Sequence, residues 1–135
     1  MNNVMLIGNF GGKPDFKEMK NDVKFCAASL AVNEYWRDAA GEKKERTDWI
    51  RVVAWGKTAL RMKDYGKGDM VLVHGKIRER SWEDEKSKEK RRAHEVEVRV
   101  LQKIHRDLKK AEPEYPPDEI PPGADVPPVD DNIPF

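Results

Sequence analysis

Aromatic and basic side chains share the same faces of two predicted strands. Because side chains alternate along a strand, one face of each strand carries a mixed set: Trp49, Arg51 and Trp55 on the first, and Lys76, Arg78, Arg80 and Trp82 on the second. The opposite faces carry Val, Ile and Ala residues, which suit a core. Burying the cations would leave unpaired charges in the interior, at a greater cost than exposing indole rings. We therefore expect the tryptophan-bearing faces to point outward rather than fill the core, where tryptophans usually lie.

Exposed indoles among cations suit one kind of ligand, a single-stranded nucleic acid. Unpaired bases stack on such rings at roughly 1–3 kcal/mol per base with little regard to sequence, and Lys and Arg neutralise the phosphates between them. Trp49 and Trp55 are six residues apart, a span of about 20 Å at roughly 3.3 Å per residue. That span leaves room for several nucleotides, whereas the bases of a duplex are already stacked and inaccessible.

Five strands and one short helix are predicted to position these residues. Apolar and alternating runs, separated by Gly, Pro and charged stretches, place strands at Val4–Ile7, Val23–Trp36, Thr47–Trp55, Met70–Trp82 and Arg91–Leu101, with a helix at Lys57–Tyr65. An all-β, five-stranded barrel with one helix between strands three and four is the oligonucleotide/oligosaccharide-binding (OB) fold. We predict this fold class.

The same alternation predicts which side chains fill the barrel. The inward sets on the last three strands are Ile50, Val52 and Ala54, then Val71, Val73, Gly75 and Ile77, then Val96, Val98 and Val100. The outward sets include Val53, Glu95, Glu97 and Arg99. The uninterrupted apolar run Val4–Ile7 predicts a strand that is covered on both sides.

Acidic and basic residues are divided between two parts of the chain. Residues 1–110 hold all 26 Lys and Arg together with 18 acids, a net charge of +8, and residues 111–135 hold seven acids and no base, a net charge of −7. The first part has the size of one domain. The second holds eight of the nine prolines and too few bulky apolar residues to fold. We predict an OB domain at 1–110, a disordered Pro-rich acidic linker at 111–129 and a separate tip at 130–135.

The tip combines acidic residues with an apolar ending. A tail that served only solubility would explain the acids but not the final Ile-Pro-Phe. A terminal Phe offers a ring and a free carboxylate to a basic pocket, and neighbouring aspartates add attraction toward basic patches over about 8 Å. We expect the tip to bind protein partners through Asp130, Asp131, Ile133, Pro134 and Phe135.

Other chemistry is not indicated by the sequence. Gly8–Pro14 lacks the spacing and the hydroxyl of a phosphate-binding loop and is predicted to be a turn. His74, His94 and His105 are far apart and make no zinc signature with the single Cys26, which we expect to be a buried core thiol. The acids are scattered among bases, so we expect neither enzymatic activity nor a cofactor. With no basic leader and no run of about 20 apolar residues, we expect a cytoplasmic protein.

Four segments of the chain resemble the bacterial-type single-stranded DNA-binding protein family: Asn2–Asn9, Thr47–Lys57, Gly66–Ile77 and the tip. The resemblance implies base stacking on Trp36, Trp49 and Trp82, and on Trp55, where the family more often has Phe. It also implies a homotetramer that binds single-stranded DNA near the nucleoid, and a tip docked by replication, recombination and repair proteins.

Three features depart from the family pattern. Ile50 stands where many members have His near subunit contacts, the linker is short and acidic where many members have a long Gly/Gln-rich one, and Asn132 interrupts the acidic run. An OB-fold RNA-binding protein or a replication accessory protein is the alternative within the class of binding modules. The acidic tip favours the DNA-binding family over both.

Overall fold

The structure is a computed structural model and describes residues 1–105. Six strands, one α-helix and a short 3-10 turn at Lys20–Asp22 follow one another along this part of the chain. They are β1 (Val4–Phe10), β2 (Asp15–Glu18), β3 (Lys24–Arg37), β4 (Lys43–Trp55), α1 (Gly56–Met62), β5 (Met70–Glu83) and β6 (Lys90–Lys103).

Five of these strands close into a barrel. The order is β1-β5-β6-β4-β3, and β3 returns to β1 through the pairs Asn9–Ala31 and Phe10–Leu30. β4 and β6 pair in parallel, at Val52–Val96 and Val53–Glu97, while the other neighbours are antiparallel. The helix follows β4 and precedes β5, the third and fourth strands of the barrel. The predicted OB fold is confirmed.

The barrel interior holds one apolar cluster. Its fully buried members come from every strand of the barrel and from the helix, and include Phe10, Leu30, Val52, Ala54, Met62, Val71, Val73, Val96, Val98 and Leu101. Burying one Leu or Phe side chain contributes about 1.5–3 kcal/mol, so this cluster is the main source of stability. α1 contributes Ala59 and Met62, both with no exposed surface. The inward faces predicted for β4 and for the first half of β5 are confirmed.

A β-bulge changes the inward set of β6. His74 pairs with Val100 but the next residue, Gly75, pairs with Val98, so Arg99 is an extra residue without a partner on β5. A bulge reverses the alternation beyond it. Leu101 is therefore buried and Val100 is 48% exposed. The prediction that Val100 points inward was wrong, because no local pattern marked the extra residue.

The backbone of β6 packs so closely against position 75 that only glycine fits at the bulge. A Cβ atom built on Gly75 would collide with the carbonyl oxygen of Glu97. The opposing backbone therefore occupies the space that any other side chain would need.

One further prediction of facing was wrong, at Ile77, and one outward-facing residue, Val53, is buried. Ile77 is 47% exposed. The pairing of β1 with β5 ends at Val4–Gly75, so Ile77 lies beyond the part of β5 that β1 covers. Val53 is only 1% exposed although it faces away from the core. It lies between two strands, opposite Ala27 on β3 and Glu97 on β6.

The strand β1 is not covered on both sides within residues 1–105. Its inward-facing residues Val4 and Leu6 pack against the core cluster, but Met5 is 67% exposed and Ile7 is 50% exposed. β1 also continues past Ile7 to Phe10, into the segment Gly8–Pro14 that was predicted to be a turn. The apolar character of its outer face has no explanation within this part of the chain.

Two hairpins extend from the barrel. β3 and β4 remain paired as far as Arg37–Lys43, and β5 and β6 as far as Glu83–Lys90. In the first turn, Asp38 accepts hydrogen bonds from the backbone N–H groups of Ala40 and Glu42. In the second, the Lys86 N–H donates to Asp84 and lowers the pKa of that carboxyl. These side-chain caps fix turns that the barrel does not contact.

Candidate nucleic-acid interface

All four indoles are exposed rather than packed in the core. The exposed fractions are 37% for Trp36, 64% for Trp49, 44% for Trp55 and 39% for Trp82. Trp is usually among the more buried residue types. The predicted outward facing is confirmed, and no tryptophan belongs to the core cluster. Their role in stacking bases stays a prediction.

Trp49 has the most accessible ring. It lies at the middle of β4, opposite Ala31. Its ring lies against Gly11 in the β1–β2 turn, where an added Cβ atom would collide with Trp49 Cζ3. Trp49 is thus 64% exposed although part of its ring lies against the turn.

Trp55 has a partner on the neighbouring strand. It pairs across from Phe25, with ring centroids 4.6 Å apart and ring planes tilted by 53°. Aromatic pairs of this kind contribute about 0.5–1.5 kcal/mol beyond their buried area. Trp55 therefore also stabilises the fold at the point where β4 enters α1.

Trp82 and Trp36 lie on the two hairpins. The guanidinium of Arg80 lies 4.5 Å from the Trp82 ring centroid, in the geometry of a cation–π contact. Trp82 pairs across from Arg91, and Trp36 from Lys44. Each indole thus has a basic residue opposite it on the paired strand.

The four predicted phosphate-binding cations converge on two carboxylates of β6. Arg51 Nε donates a hydrogen bond to Glu95 Oε2 at 3.0 Å, and Arg80 Nε lies 3.6 Å from the same oxygen. Lys76 Nζ and Arg78 Nε lie 3.4 and 2.8 Å from Glu97 Oε2. The surface is therefore a charge cluster with a net charge of +2 rather than four free cations. We call these six side chains the β6 ion cluster.

Glu97 is an unusual member of the cluster. Its Oε2 atom is buried and accepts no hydrogen bond within the part of the chain that the structure describes. Arg78 Nε, though close, does not point its N–H at this oxygen, so the attraction is ionic rather than directional. The guanidinium donors that are left over can still bind an external anion, since each Arg has five N–H groups.

The carboxylates of the cluster were missed as site residues, although the sequence carried a signal. The alternation predicts that Glu95 and Glu97 lie on the outward face of the last strand, and residues 83–90 form the hairpin loop between the predicted strands that end at Trp82 and begin at Arg91. If residues 82 and 91 lie opposite each other, Arg78 lies opposite Glu95 and Lys76 lies opposite Glu97. This is the observed register of the two strands. Register combined with facing would have predicted the Lys76–Glu97 ion pair. The pairs Arg78–Glu97 and Arg80–Glu95 join diagonal neighbours, and Arg51 reaches Glu95 from β4.

Two other predictions can be placed. Cys26 is fully buried in the core cluster, as expected. Burial and the negative charge of Asp15 raise the pKa of its thiol to about 11, so the reactive thiolate is scarce at neutral pH. The partner-binding residues Asp130, Asp131, Ile133, Pro134 and Phe135 lie outside the described residues.

Among residues 1–105, no group of three or more His, Cys, Asp or Glu side chains is arranged to hold a metal ion. Within the same range, no helix has the length and apolar character needed to cross a membrane.

Comparisons with known proteins agree with the barrel and its exposed surface. One relative, "Single-stranded DNA-binding protein 1" of Chlorobaculum tepidum, is 37% identical over 105 residues, which are 77% of this chain and 65% of that protein. The chain thus spans a little under two thirds of the length of this relative.

Two solved structures share the fold. "Plasmodium falciparum SSB complex with ssDNA" superposes with a TM-score of 0.70 at 32% identity, over 78% of this chain and 96% of that one. A deletion mutant of the single-stranded DNA binding protein from Thermus aquaticus gives a TM-score of 0.68 at 25% identity, over 78% of this chain and 51% of that one.

The family comparison covers the barrel and both hairpins. Residues 1–104 match the model of the "Single-strand binding protein family". This range includes all four exposed tryptophans and the whole β6 ion cluster. The chain belongs to the single-strand binding protein family.

Proposed function

We propose that this protein binds single-stranded DNA with little sequence preference. Bases stack on Trp36, Trp49, Trp55 and Trp82, and phosphates contact the basic members of the β6 ion cluster. The observation that carries the proposal is the exposure of four indoles on strands that also bear cations. Exposed rings of this size cost free energy unless a ligand covers them, and bases have the flat apolar faces that do so.

A single strand fits this surface better than a duplex. The indoles lie on strands and hairpins of the outer surface, so a ligand must present base faces rather than base edges. Only unpaired bases offer those faces, because the bases of a duplex are stacked on one another. The cations of the β6 ion cluster attract the phosphates of either ligand, so access to base faces, and not charge, sets the preference for a single strand.

We also propose that the protein assembles as a homotetramer, the number of subunits implied by the family resemblance. Support comes from an exposed apolar face on β1 and its neighbours. Met5 on β1 lies opposite His74 on β5, and His74 lies opposite Val100 on β6. The three residues therefore form one row across the outer surface of the sheet. Ile7 and Leu72 form the next row. A second copy of the chain would cover this face and satisfy the apolar pattern of β1.

The proposed role of the tip is to dock replication, recombination and repair proteins in the cytoplasm, at the nucleoid. Its support is the sequence alone: a terminal ring and carboxylate behind two aspartates. Deleting residues 130–135 should abolish capture of such proteins and leave affinity for DNA equal or higher. If the truncated protein captures the same partners, docking through the tip is wrong.

The experiment that tests DNA binding is a titration monitored by tryptophan fluorescence. Oligo-dT, the matched RNA oligo-U and a duplex of equal length are added at two salt concentrations. We expect strong quenching and the highest affinity with oligo-dT, weakened by salt with a slope of about −0.7 per phosphate contact. Equal affinity for the duplex would overturn the proposal. A clear preference for oligo-U would assign the protein to the RNA-binding alternative.

A further inference from the structure

A cavity beside Trp49 is not accounted for by the residues assigned so far. It has a volume of about 380 Å³ and is lined by Gly11, Gly12, Lys13, Ser29 and Trp49. It is an open depression of the surface rather than an enclosed site for a small ligand. The lining brings together an exposed aromatic ring and a cation from a different element, the β1–β2 turn.

The turn is held against the indole by two contacts of Gly11. Its N–H donates to the carbonyl oxygen of Ser29 at 2.9 Å, which ties the turn to β3. Its missing side chain makes room for Trp49, because a Cβ atom would collide with Cζ3 of the ring and lie 3.1 Å from Cη2. The position of the ring relative to the turn is therefore set by backbone, which is more rigid than a contact between two flexible side chains.

Lys13 differs from the cations of the β6 ion cluster. Its side chain is exposed and, among residues 1–105, its ammonium forms no ion pair. Arg51 shares the strand and the outward face of Trp49, but its guanidinium is hydrogen-bonded to Glu95. A phosphate next to Trp49 thus meets a full positive charge at Lys13 and a partly neutralised one at Arg51.

We propose that Trp49 and Lys13 form a subsite for one nucleotide of the bound strand. The base stacks on the exposed indole, and its phosphate contacts the Lys13 ammonium across the cavity. Gly11 is a positioning residue that fixes the ring beside the turn. The inference rests on the proposed binding of single-stranded DNA and assigns to it a cation outside the β6 ion cluster.

The test begins with Lys13→Gln in the full-length protein, with Lys20→Gln as the matched control. Both lysines are exposed, lie in the connection between β1 and β3 and form no ion pair within the described residues. Lys13→Gln should weaken binding of oligo-dT severalfold and make the salt slope shallower by about 0.7, the value of one phosphate contact on a single strand. Lys20→Gln should change neither. An unchanged slope in Lys13→Gln overturns the subsite.

A double-mutant cycle tests whether the two side chains hold the same nucleotide. If they do, the loss of affinity in Lys13→Gln with Trp49→Ala is smaller than the product of the single losses. Lys13→Gln with Trp55→Ala, at a separate ring, should give the product. If the Trp49 pair also gives the product, the two residues bind independently and the shared subsite is wrong.

Two further measurements separate the possible failures. If the wild-type protein does not bind oligo-dT, the proposed function is wrong. If the wild type binds oligo-dT and Lys13→Gln has the same affinity and salt slope, only the subsite is wrong. Free thymidine monophosphate should compete with oligo-dT only at far higher nucleotide concentration. Competition at equal nucleotide concentration would assign the cavity to free nucleotides instead of a DNA strand.

Discussion

Arg78 Nε lies 2.8 Å from Glu97 Oε2, on a surface that is otherwise suited to phosphate. The same oxygen attracts Lys76 at 3.4 Å, so one carboxylate offsets two of the cations that would face a DNA backbone. The side chains of Lys76 and Arg78 remain 24% and 55% exposed, whereas that of Glu97 is 21% exposed and its Oε2 atom is buried. A phosphate can therefore compete for the cations, but it must do so against an anion that is already in place.

Replacing Glu97 by Gln should strengthen DNA binding. The change preserves the shape of the side chain and removes the competing charge, so affinity for oligo-dT at low salt should rise severalfold. The salt slope should steepen by up to about 1.4, since two cations become available to phosphates at about 0.7 each. The measurement is a fluorescence titration at four salt concentrations.

Glu18→Gln is the control for this prediction. Glu18 lies on β2, is exposed and forms no ion pair within residues 1–105, so any effect of net charge alone would appear there. A loss of affinity in Glu97→Gln would show that Glu97 aids binding by orienting Arg78, and would contradict the prediction.

Truncating two of the exposed indoles should weaken binding without unfolding the barrel. Trp49→Ala and Trp82→Ala each remove a stacking surface worth about 1–3 kcal/mol, or roughly 5- to 150-fold in affinity. Neither ring belongs to the core cluster, so the circular-dichroism spectrum should stay that of the folded protein. Loss of that spectrum would mean that these tryptophans are structural.

Gly75→Ala should be far more harmful than Gly12→Ala. The added methyl group at Gly75 collides with the backbone of Glu97 and Val98, and no side-chain rearrangement relieves that contact. Forcing atoms into packed space costs about 1–3 kcal/mol or more. At Gly12 nothing lies within 4 Å of the added carbon, so stability should change by at most about 0.5 kcal/mol. Thermal unfolding followed by circular dichroism compares the two, and equal stability would contradict the packing at the bulge.

A charge on the outer face of β1 should disrupt assembly. Met5→Lys and Ile7→Lys place an ammonium in the exposed apolar rows that include Val100. If a second copy covers this face, light scattering should show a smaller particle than the wild type. Val23→Lys is the control, because Val23 is also apolar and 40% exposed but lies outside these rows. A wild-type monomer, or variants of unchanged size, would refute the proposed interface.

Much of the barrel could be predicted because its signals are local. Strand alternation and Gly-bounded loops gave the five barrel strands in their correct order, and good helix formers marked α1, although it ends at Met62 rather than Tyr65. The short strand β2 was missed. Its four residues, Asp15–Glu18, include three charged ones and show no apolar alternation, so their strand geometry comes from pairing with β3.

The errors at the site have non-local causes. The extra residue Arg99 reverses the facing of Val100 and Leu101, and its position is set by the close approach of Gly75 to Glu97. Lys13 was assigned to a plain turn, because its proximity to Trp49 depends on how β1 closes onto β3. Outward exposure of the indoles was predictable, since it follows from alternation within single strands.

The β5–β6 hairpin pairs beyond the barrel only with itself, from Arg78–Glu95 to Glu83–Lys90 within the described residues. Inserting two residues into each arm would move Trp82 outward by about 7 Å and return every side chain to its original face. No core contact would change. The reach of this binding surface can therefore evolve, or be engineered, in discrete steps that carry no penalty for the folding of the barrel.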